Sequence, residues 1–354
     1  MKIAITADVH LTTFEEHPER FHALENILKQ VIENQVKILV IAGDLFDASR
    51  QNYAEFDTFC QKPEYKGVRF LIIPGNHDLR LRNEDLVAAN VDIVTEPAIK
   101  TFHSPGLKFL LLPYQADKTM GEFIAANVHE LPANDWVLIG HGDWAESLAE
   151  PNPAEPGVYM PLTRTDIENY KPATVVLGHI HKPLDKPRLH YLGSPCGLDI
   201  TETGRRRFLI MDVDNGAITE KIVGNEVIYF NESMTVLPLR DEDAYVKNLI
   251  ERMITSWRLN KAELSKVQLR LEVQGYTTNK RALMKSIKEG CKELNFHNNH
   301  EPDLTAVAVA DDFNRAEIAN QVSDWIEKLD LKHNPEQPTR EQILLEALHV
   351  IYGN

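Results

Sequence analysis

Ile38-Leu39-Val40-Ile41-Ala42-Gly43-Asp44-Leu45-Phe46-Asp47 decides the fold: five apolar residues run straight into a glycine and two spaced carboxylates. A short, unbroken apolar run reads as a strand covered on both faces, because a half-exposed strand would alternate. Working outward, the same construction recurs on both sides. Ile3–Thr6 leads to Asp8-Val9-His10, and Phe70–Ile73 leads through Pro74 to Gly75-Asn76-His77-Asp78. Trp136–Ile139 leads to Gly140-His141-Gly142-Asp143, and Val175–Leu177 to Gly178-His179-Ile180-His181. Phe109–Leu112 is a further run of the same kind. Longer polar stretches separate the runs, and from about Glu19 to Asn34 the residues Phe21, Leu24, Ile27, Leu28, Val31 and Ile32 form a helical stripe. The fold class is therefore α/β, with polar groups at the carboxyl ends of five strands, the edge where loops of such a sheet converge on one crevice.

These motifs assemble a ligand set. Asp8 and Asp44 supply carboxylates, Asn76 an amide oxygen, and His10, His141, His179 and His181 imidazoles. Oxygen and imidazole together suit Mn²⁺, Fe²⁺ or Zn²⁺ better than a thiolate-seeking metal. Seven ligands with one carboxylate shared match what two metal ions need while positions stay open for water and substrate. Two ions about 3.5–4 Å apart can hold a phosphate ester, acidify a bridging water and stabilise attacking and leaving oxygens together. Any single motif is weak, since Asn, Asp and Gly also favour turns for backbone reasons. Five in order, each directly after an apolar run, are hard to obtain by chance.

Other candidates read as structural. The remaining histidines, from His17 to His349, lack such a context. Cys196, in Gly193-Ser194-Pro195-Cys196-Gly197, has no base placed for it and reads as a small apolar filler. Arg205-Arg206-Arg207 reads as a solvated turn that could meet phosphates.

Composition narrows the class. The chain has 354 residues, enough for one large domain and a smaller one, and 43% of them are apolar. Three widely spaced cysteines suggest neither a disulfide framework nor a thiolate zinc site, and they fit a reducing cytoplasm. No signal peptide and no membrane span are expected. The formal charge of −15 lacks the basic surplus of an autonomous nucleic-acid binder, so a polyanionic substrate would need metal ions, a local patch or a partner.

Phe208–Val213 and Ile218–Val223 read as a hairpin turning at Asn215-Gly216, and after it the style changes. Beyond it, a strand is expected at Thr235–Leu239, a helix at Asp241–Trp257 and an alternating strand at Val267–Val273. A helix at Asn279–Leu294, a strand at Leu304–Ala310 and a helix at Asn314–Leu329 follow, together a small α+β module. A linker from His333 to Pro338 leads to a last helix with a Thr339–Gln342 capping box. Ile343, Leu344, Ala347, Leu348 and Ile351 form its apolar stripe, which either folds back on the module or docks on a partner.

The order Asp-x-His, Gly-Asp-x-x-Asp, Gly-Asn-His-Asp, Gly-His, Gly-His-x-His resembles the calcineurin-like metallophosphoesterase superfamily. Within it, Ile41–Asp47, Ile73–Asp78 and Tyr191-Leu192-Gly193-Ser194-Pro195 are closest in wording to SbcD-type DNA repair nucleases. The resemblance implies a two-sheet α/β sandwich with helices on both faces, plus a capping domain. Domains would span 1–230 (nuclease), 231–332 (capping, DNA recognition) and 333–354 (linker and terminal helix). It further implies that Asp8, His10, Asp44 and His181 hold one metal and that Asp44, Asn76, His141 and His179 hold the other. His77 would act on the leaving oxygen, with Asp78 orienting it. Asp47 stands where some relatives carry histidine, as a substrate contact or an anchor behind the ligands.

The function expected is a Mn²⁺-dependent DNA exonuclease and endonuclease, cutting phosphodiesters by attack of a metal-activated water. A homodimer associated with an SbcC-type coiled-coil ATPase is implied as well. Two alternatives stand beside it: a phosphatase or phosphodiesterase acting on a small molecule or protein, and an inactive scaffold of the same fold.

Overall fold

Each apolar run is a strand, and the reason the runs do not alternate lies in how the strands are layered. The structure is a computed structural model that describes residues 1–49, 51–145, 157–310, 312–330 and 338–352. The chain divides into two compact units, Met1–Leu198 with Arg205–Glu226, and Asp199–Gly204 with Val227–Asn354.

In the first unit the strands are β1 (Lys2–Thr6), β2 (Ile38–Ala42), β3 (Arg69–Ile73), β4 (Val91–Ile93), β5 (Ala98–Lys100), β6 (Lys108–Leu112) and β7 (Trp136–His141). They continue with β8 (Trp144–Ala145), β9 (Leu162–Thr163), β10 (Thr174–Gly178), β11 (Leu184–Lys186), β12 (Leu189–Tyr191), β13 (Arg207–Asp212) and β14 (Ile218–Ile222). The helices are α1 (Pro18–Glu33), α2 (Tyr53–Cys60), α3 (Met120–Asn127) and α4 (Arg164–Tyr170).

These strands form two sheets, as the family resemblance implied, rather than the single sheet the apolar runs alone suggested. The orders are β14-β13-β1-β2-β3-β4 and β11-β12-β10-β7-β6-β5, with β8-β9 a separate pair. Ile3, Ile5, Val40, Leu71 and Ile73 of the first sheet pack against Phe109, Leu111, Val137, Ile139 and Val176 of the second. The intervening residues face outward into helices. Ala4, Leu39, Ile41, Phe70 and Ile72 meet Leu24, Ile27 and Leu28 of α1 and Phe56 of α2. Leu110, Leu112, Leu138, Val175 and Leu177 meet Met120, Phe123 and Ile124 of α3. Both faces of both sheets are thus apolar, which is why periodicity vanishes from the sequence. Each such side chain contributes roughly 1.5–3 kcal/mol on burial. The expected hairpin is β13–β14, antiparallel with Met211 opposite Ile218, and Gly216 takes φ 74° in its turn.

In the second unit the elements are β15 (Ile228–Val236), α5 (Glu242–Ser256), α6 (Lys261–Leu264), β16 (Val267–Thr277) and α7 (Lys280–Gly290). They end with β17 (Asn295–Phe296), β18 (Asp303–Val309), α8 (Phe313–Glu327) and α9 (Arg340–Tyr352). β16 pairs in parallel with β15 on one side and with β17 and β18 on the other. Its alternation buries Val267, Leu269, Leu271 and Val273 against Val246 and Ile250 of α5 and Leu283 and Ile287 of α7. The strand expected at Thr235–Leu239 is corrected: it runs from Ile228 and stops short of Pro238, which cannot donate to a ladder. It also begins before residue 230, where a domain break was expected.

The terminal helix carries the expected capping box, with Thr339 N donating to Gln342 Oε1 at 2.8 Å and Gln342 N to Thr339 Oγ1 at 3.2 Å. Its stripe is spent within the unit. Leu348 is fully buried with Leu237 and Ala319, flanked by Leu344 and Ile351, and Tyr352 stacks on Tyr276 at 4.3 Å. The linker from His333 lies, up to residue 337, outside the described residues. Among the described residues, no helix is long and apolar enough to cross a membrane.

Candidate metal centre

Two sheets bring the motifs together. β1, β2 and β3 of the first sheet end at Asp8 and His10, Asp44, and Asn76 to Asp78, while β7 and β10 of the second end at His141 and His179 to His181. The loop after β1 lies on the loop after β2 through Asp8 N to Gly43 O (3.1 Å) and His10 N to Asp44 O (3.0 Å). The carboxylates then tie the remaining loops to these. His179 N donates to Asp8 Oδ1 and His77 N to Asp44 Oδ1, each at 2.9 Å.

The backbone here departs from ordinary conformations. Asp8, His10, Asp44 and His179 have φ of 53°, 50°, 50° and 94°. Left-handed backbone at a non-glycine residue costs on the order of 1–3 kcal/mol and persists only where surrounding contacts over-determine it. The cross-loop hydrogen bonds provide that constraint. Gly43 is required twice over, by its φ of 93° and because a Cβ there would overlap the His141 ring.

The ligand atoms converge in three overlapping groups: Asp8, His10 and His181; His10, Asp44 and His77; Asp8, Asp44 and His141. His10 Nε2 and His181 Nε2 approach to 3.0 Å, and His141 Nε2 lies 3.2 Å from Asp44 Oδ2 and 2.8 Å from Asn76 Oδ1. The His141 Nδ1 faces the Ala42 carbonyl at 3.1 Å, which directs Nε2 into the centre. His179 adjoins His141, their ring centroids 5.3 Å apart, with its Nε2 3.5 Å from Asp143 Oδ1. Asp8 Oδ2 is buried without a hydrogen-bond partner. A buried carboxylate oxygen so placed, beside imidazole nitrogens that converge without an apolar filler, fits a bound divalent cation.

Burial and mutual charge shift these groups in different directions. Burial raises the Asp8 carboxyl to about 6, offset in part by His141 and His181. Burial lowers His10 to about 3, so its ring is neutral and its lone pair available to a metal. At His141 burial acts downward, but Asp44 outweighs it and raises the ring to about 10. Asp44 is held below the usual carboxylate range, since His141 overcomes the opposing effect of burial.

Two sequence expectations are redrawn. Asp78 does not point at His77: its buried carboxylate accepts from the backbone amides of Gly75 (2.6 Å), Leu45 (2.7 Å) and Phe46 (3.2 Å), joining the loops after β2 and β3. The His77 Nδ1 is met instead by the Ala48 amide at 3.3 Å. Nor is Arg205-Arg206-Arg207 a solvated turn, because Arg206, just before β13, and Arg207, its first residue, are both buried. Arg207 binds Asp185, Glu220 and the Tyr191 carbonyl. Cys196 is packed in the core around α1, as a filler. Asp47 faces His10 Nδ1 at 4.0 Å and accepts from Arg20 at 3.3 Å, behind the ligands. Sequence reasoning missed Arg20, Tyr159, whose ring lies 4.6 Å from His179, and Asp143, although the Gly140–Asp143 motif already displayed the last.

Residues 1–183 match the calcineurin-like phosphoesterase family. The chain belongs to that family. It is accordingly a metal-dependent phosphoesterase, with the fold of a metallophosphoesterase. It is 26% identical over 264 residues to the DNA double-strand break repair protein Mre11 of Methanopyrus kandleri, covering 62% of this chain and 56% of that one. It is 26% identical over 215 residues to the uncharacterized metallophosphoesterase YhaO of Bacillus subtilis, covering 56% of this chain and 51% of that one. With the SbcD component of the nuclease SbcCD of Staphylococcus epidermidis it shares 22% identity over 259 residues, 62% of this chain and 67% of that one. The chain spans little more than half the length of the first two.

Proposed function

We propose that this phosphoesterase is a DNA nuclease of the SbcD type, with Mn²⁺ as its working metal. The single observation that carries the reading is the convergence of Asp8, His10, Asp44, His77, His141 and His181, with Asn76 and His179 beside His141, in a chain similar to proteins named as a component of the nuclease SbcCD and as Mre11. Asp8, His10, Asp44 and His181 would hold one ion, and Asp44, Asn76, His141 and His179 the other. Bound there, divalent ions would supply acidification of a water and charge stabilisation for the attacking and leaving oxygens of a phosphodiester. His77, its Nδ1 accepting from the Ala48 amide, presents Nε2 as the donor to the leaving oxygen. A cavity of about 370 Å³ opens beside it, lined by Ala48, Ser49, Gln51, Leu79 and Arg80. It offers room for the leaving group of a phosphate ester. The second unit serves as the DNA-recognising cap, and the protein works as a homodimer with a coiled-coil ATPase. The anchor for that ATPase is α8, whose Ile318, Val322 and Trp325 fall on one face, with Ile318 and Trp325 53% and 66% exposed.

The test is cleavage with Mn²⁺ of linear duplex and hairpin DNA against nitrophenyl phosphate esters, with and without a candidate ATPase. DNA cleavage stimulated by the ATPase is expected. Hydrolysis of nitrophenyl esters alone would overturn the nuclease reading and leave a small-molecule phosphoesterase.

A further inference from the structure

Two arginines outside every motif reach the metal centre from behind. Arg20, in the first turn of α1, donates through Nη1 to the main-chain carbonyl of His10. Arg206, at the start of the last core hairpin, donates through Nη1 to the main-chain carbonyl of His181 at 2.8 Å. Both are buried, and Arg206, 2% exposed, is among the largest fully buried side chains of the chain. His10 and His181 are the pair whose Nε2 atoms stand 3.0 Å apart, grouped with Asp8. Both guanidinium groups therefore serve the same half of the centre.

The need for them is visible in the backbone. His10 has φ 50°, so its peptide is held in a conformation that must be stabilised from outside. Its amide is bound by Asp44 O, and the Arg20 guanidinium takes the carbonyl. The His181 carbonyl accepts a second bond from Ser194 N at 3.1 Å. It lies so close to Gly193 (φ 73°) that a Cβ there would meet it at 2.7 Å. The Gly193-Ser194 turn and Arg206 thus enclose one oxygen. The other half is held differently, His141 through its own ring on Ala42 O and His179 through its amide on Asp8.

We propose that Arg20 and Arg206 are positioning residues that set the affinity of the Asp8/His10/Asp44/His181 metal position and leave the Asn76/His141/His179 position unaffected. This rests on the ligand assignment made under the proposed function. A buried guanidinium removed from a ligand's carbonyl frees the peptide to relax, and the ring it carries leaves its partner. Loss of such an outer contact typically costs about 10–100-fold in metal affinity.

Mn²⁺ titration calorimetry and metal analysis on the full chain test this. The wild type should bind two ions. Arg20→Met and Arg206→Met should each retain one tight ion and bind the other about 10–100-fold more weakly. Arg206→Lys, which keeps a donor of shorter reach, should be intermediate, and it carries the test if Arg206→Met does not fold. Arg207→Met is the control: it removes an equally buried guanidinium that touches no ligand's carbonyl, and it should lower thermal stability yet keep both ions. Wild-type affinities at both positions in the Arg20 and Arg206 variants overturn the proposal. So does an equal weakening of both ions in the Arg20 and Arg206 variants, or the same selective weakening of one ion in Arg207→Met. If the wild type itself binds fewer than two ions, the dinuclear assignment fails rather than the positioning role.

Discussion

The carboxyl edge of the sandwich and the α8–α9 pair of the second unit hold their side chains in place by different physics. At the edge, buried polar atoms meet named partners through directional hydrogen bonds, and strained residues such as His10 and Asp44 stay put because several loops constrain them. In α8–α9, apolar side chains are held by the area they bury, and the same stripe is satisfied by any apolar surface. A directional set of contacts identifies its partners, whereas an apolar face shows only that something covers it. The terminal stripe turned out to be covered by its own unit, and α8 keeps an exposed apolar face.

The comparison can be broken most forcefully at the edge. Asp44→Ala removes the carboxylate common to two of the three ligand groups, so both ions and all detectable hydrolysis should be lost. Two ions found by metal analysis would deny it the shared position. His77→Ala should keep both ions and lose about 10²–10⁴-fold in turnover, the usual contribution of a general acid. Unchanged turnover in single-substrate kinetics would remove His77 from the chemistry.

Smaller effects are expected in the helical pair. Leu348→Ala should cost about 2–5 kcal/mol in denaturant unfolding of the second unit, while Val350→Ala, at a position 82% exposed, should stay within about 0.5 kcal/mol. Equal effects would mean that α9 is not packed on its unit. Trp325→Ser should leave stability within about 0.5 kcal/mol but weaken capture of a coiled-coil ATPase by about 2 kcal/mol, as for an aromatic anchor. Capture at wild-type strength would place the partner elsewhere.

The smallest effect concerns pH. The Arg207 hydrogen bond, helped by His190 and opposed by partial burial, depresses the Asp185 carboxyl. A depressed carboxyl contributes stability above its unfolded value, about 3.9, and loses it as pH falls through the folded value. Asp185→Asn should therefore be slightly less stable than wild type at pH 7, and the gap should close below about pH 4. The carboxylate is half exposed, so solvent screening keeps the effect small. A gap that persisted at pH 3 would show that the aspartate acts by shape, not charge.

Legibility followed the same division. The strand ends, their glycines and the ligand types were readable because a strand that stops at a buried polar site must change composition within one or two residues. Asp8, His10, Asp44, Asn76, His141, His179 and His181 were therefore all visible in the chain. The role of Asp78 was not, because a carboxylate beside a histidine looks the same whether it binds the ring or the neighbouring loops' amides. Arg206 was misread for a similar reason: three successive arginines look solvated until the chain entering a core strand takes two of them inside. The edge strands β4, β5 and β11, and β12 next to β11, have three residues each, too few for a pattern, and exist because the rest of the sheet offers them a ladder.

By itself the sequence determined that apolar strands alternate with helices, which residues are candidate metal ligands, and that the last helix is amphipathic. Those properties are local, written in runs and motifs of fewer than about 20 residues. Only the tertiary structure decided that the ligands come from two sheets, three strands from one and two from the other. It alone set which arginines reach the ligands' carbonyls, and which apolar face of α8–α9 is spent. Each of these depends on contacts between residues far apart in the chain, as Arg206 is from His181 and Leu348 from Leu237. The chain's local pattern carries no information about them until the layers have packed.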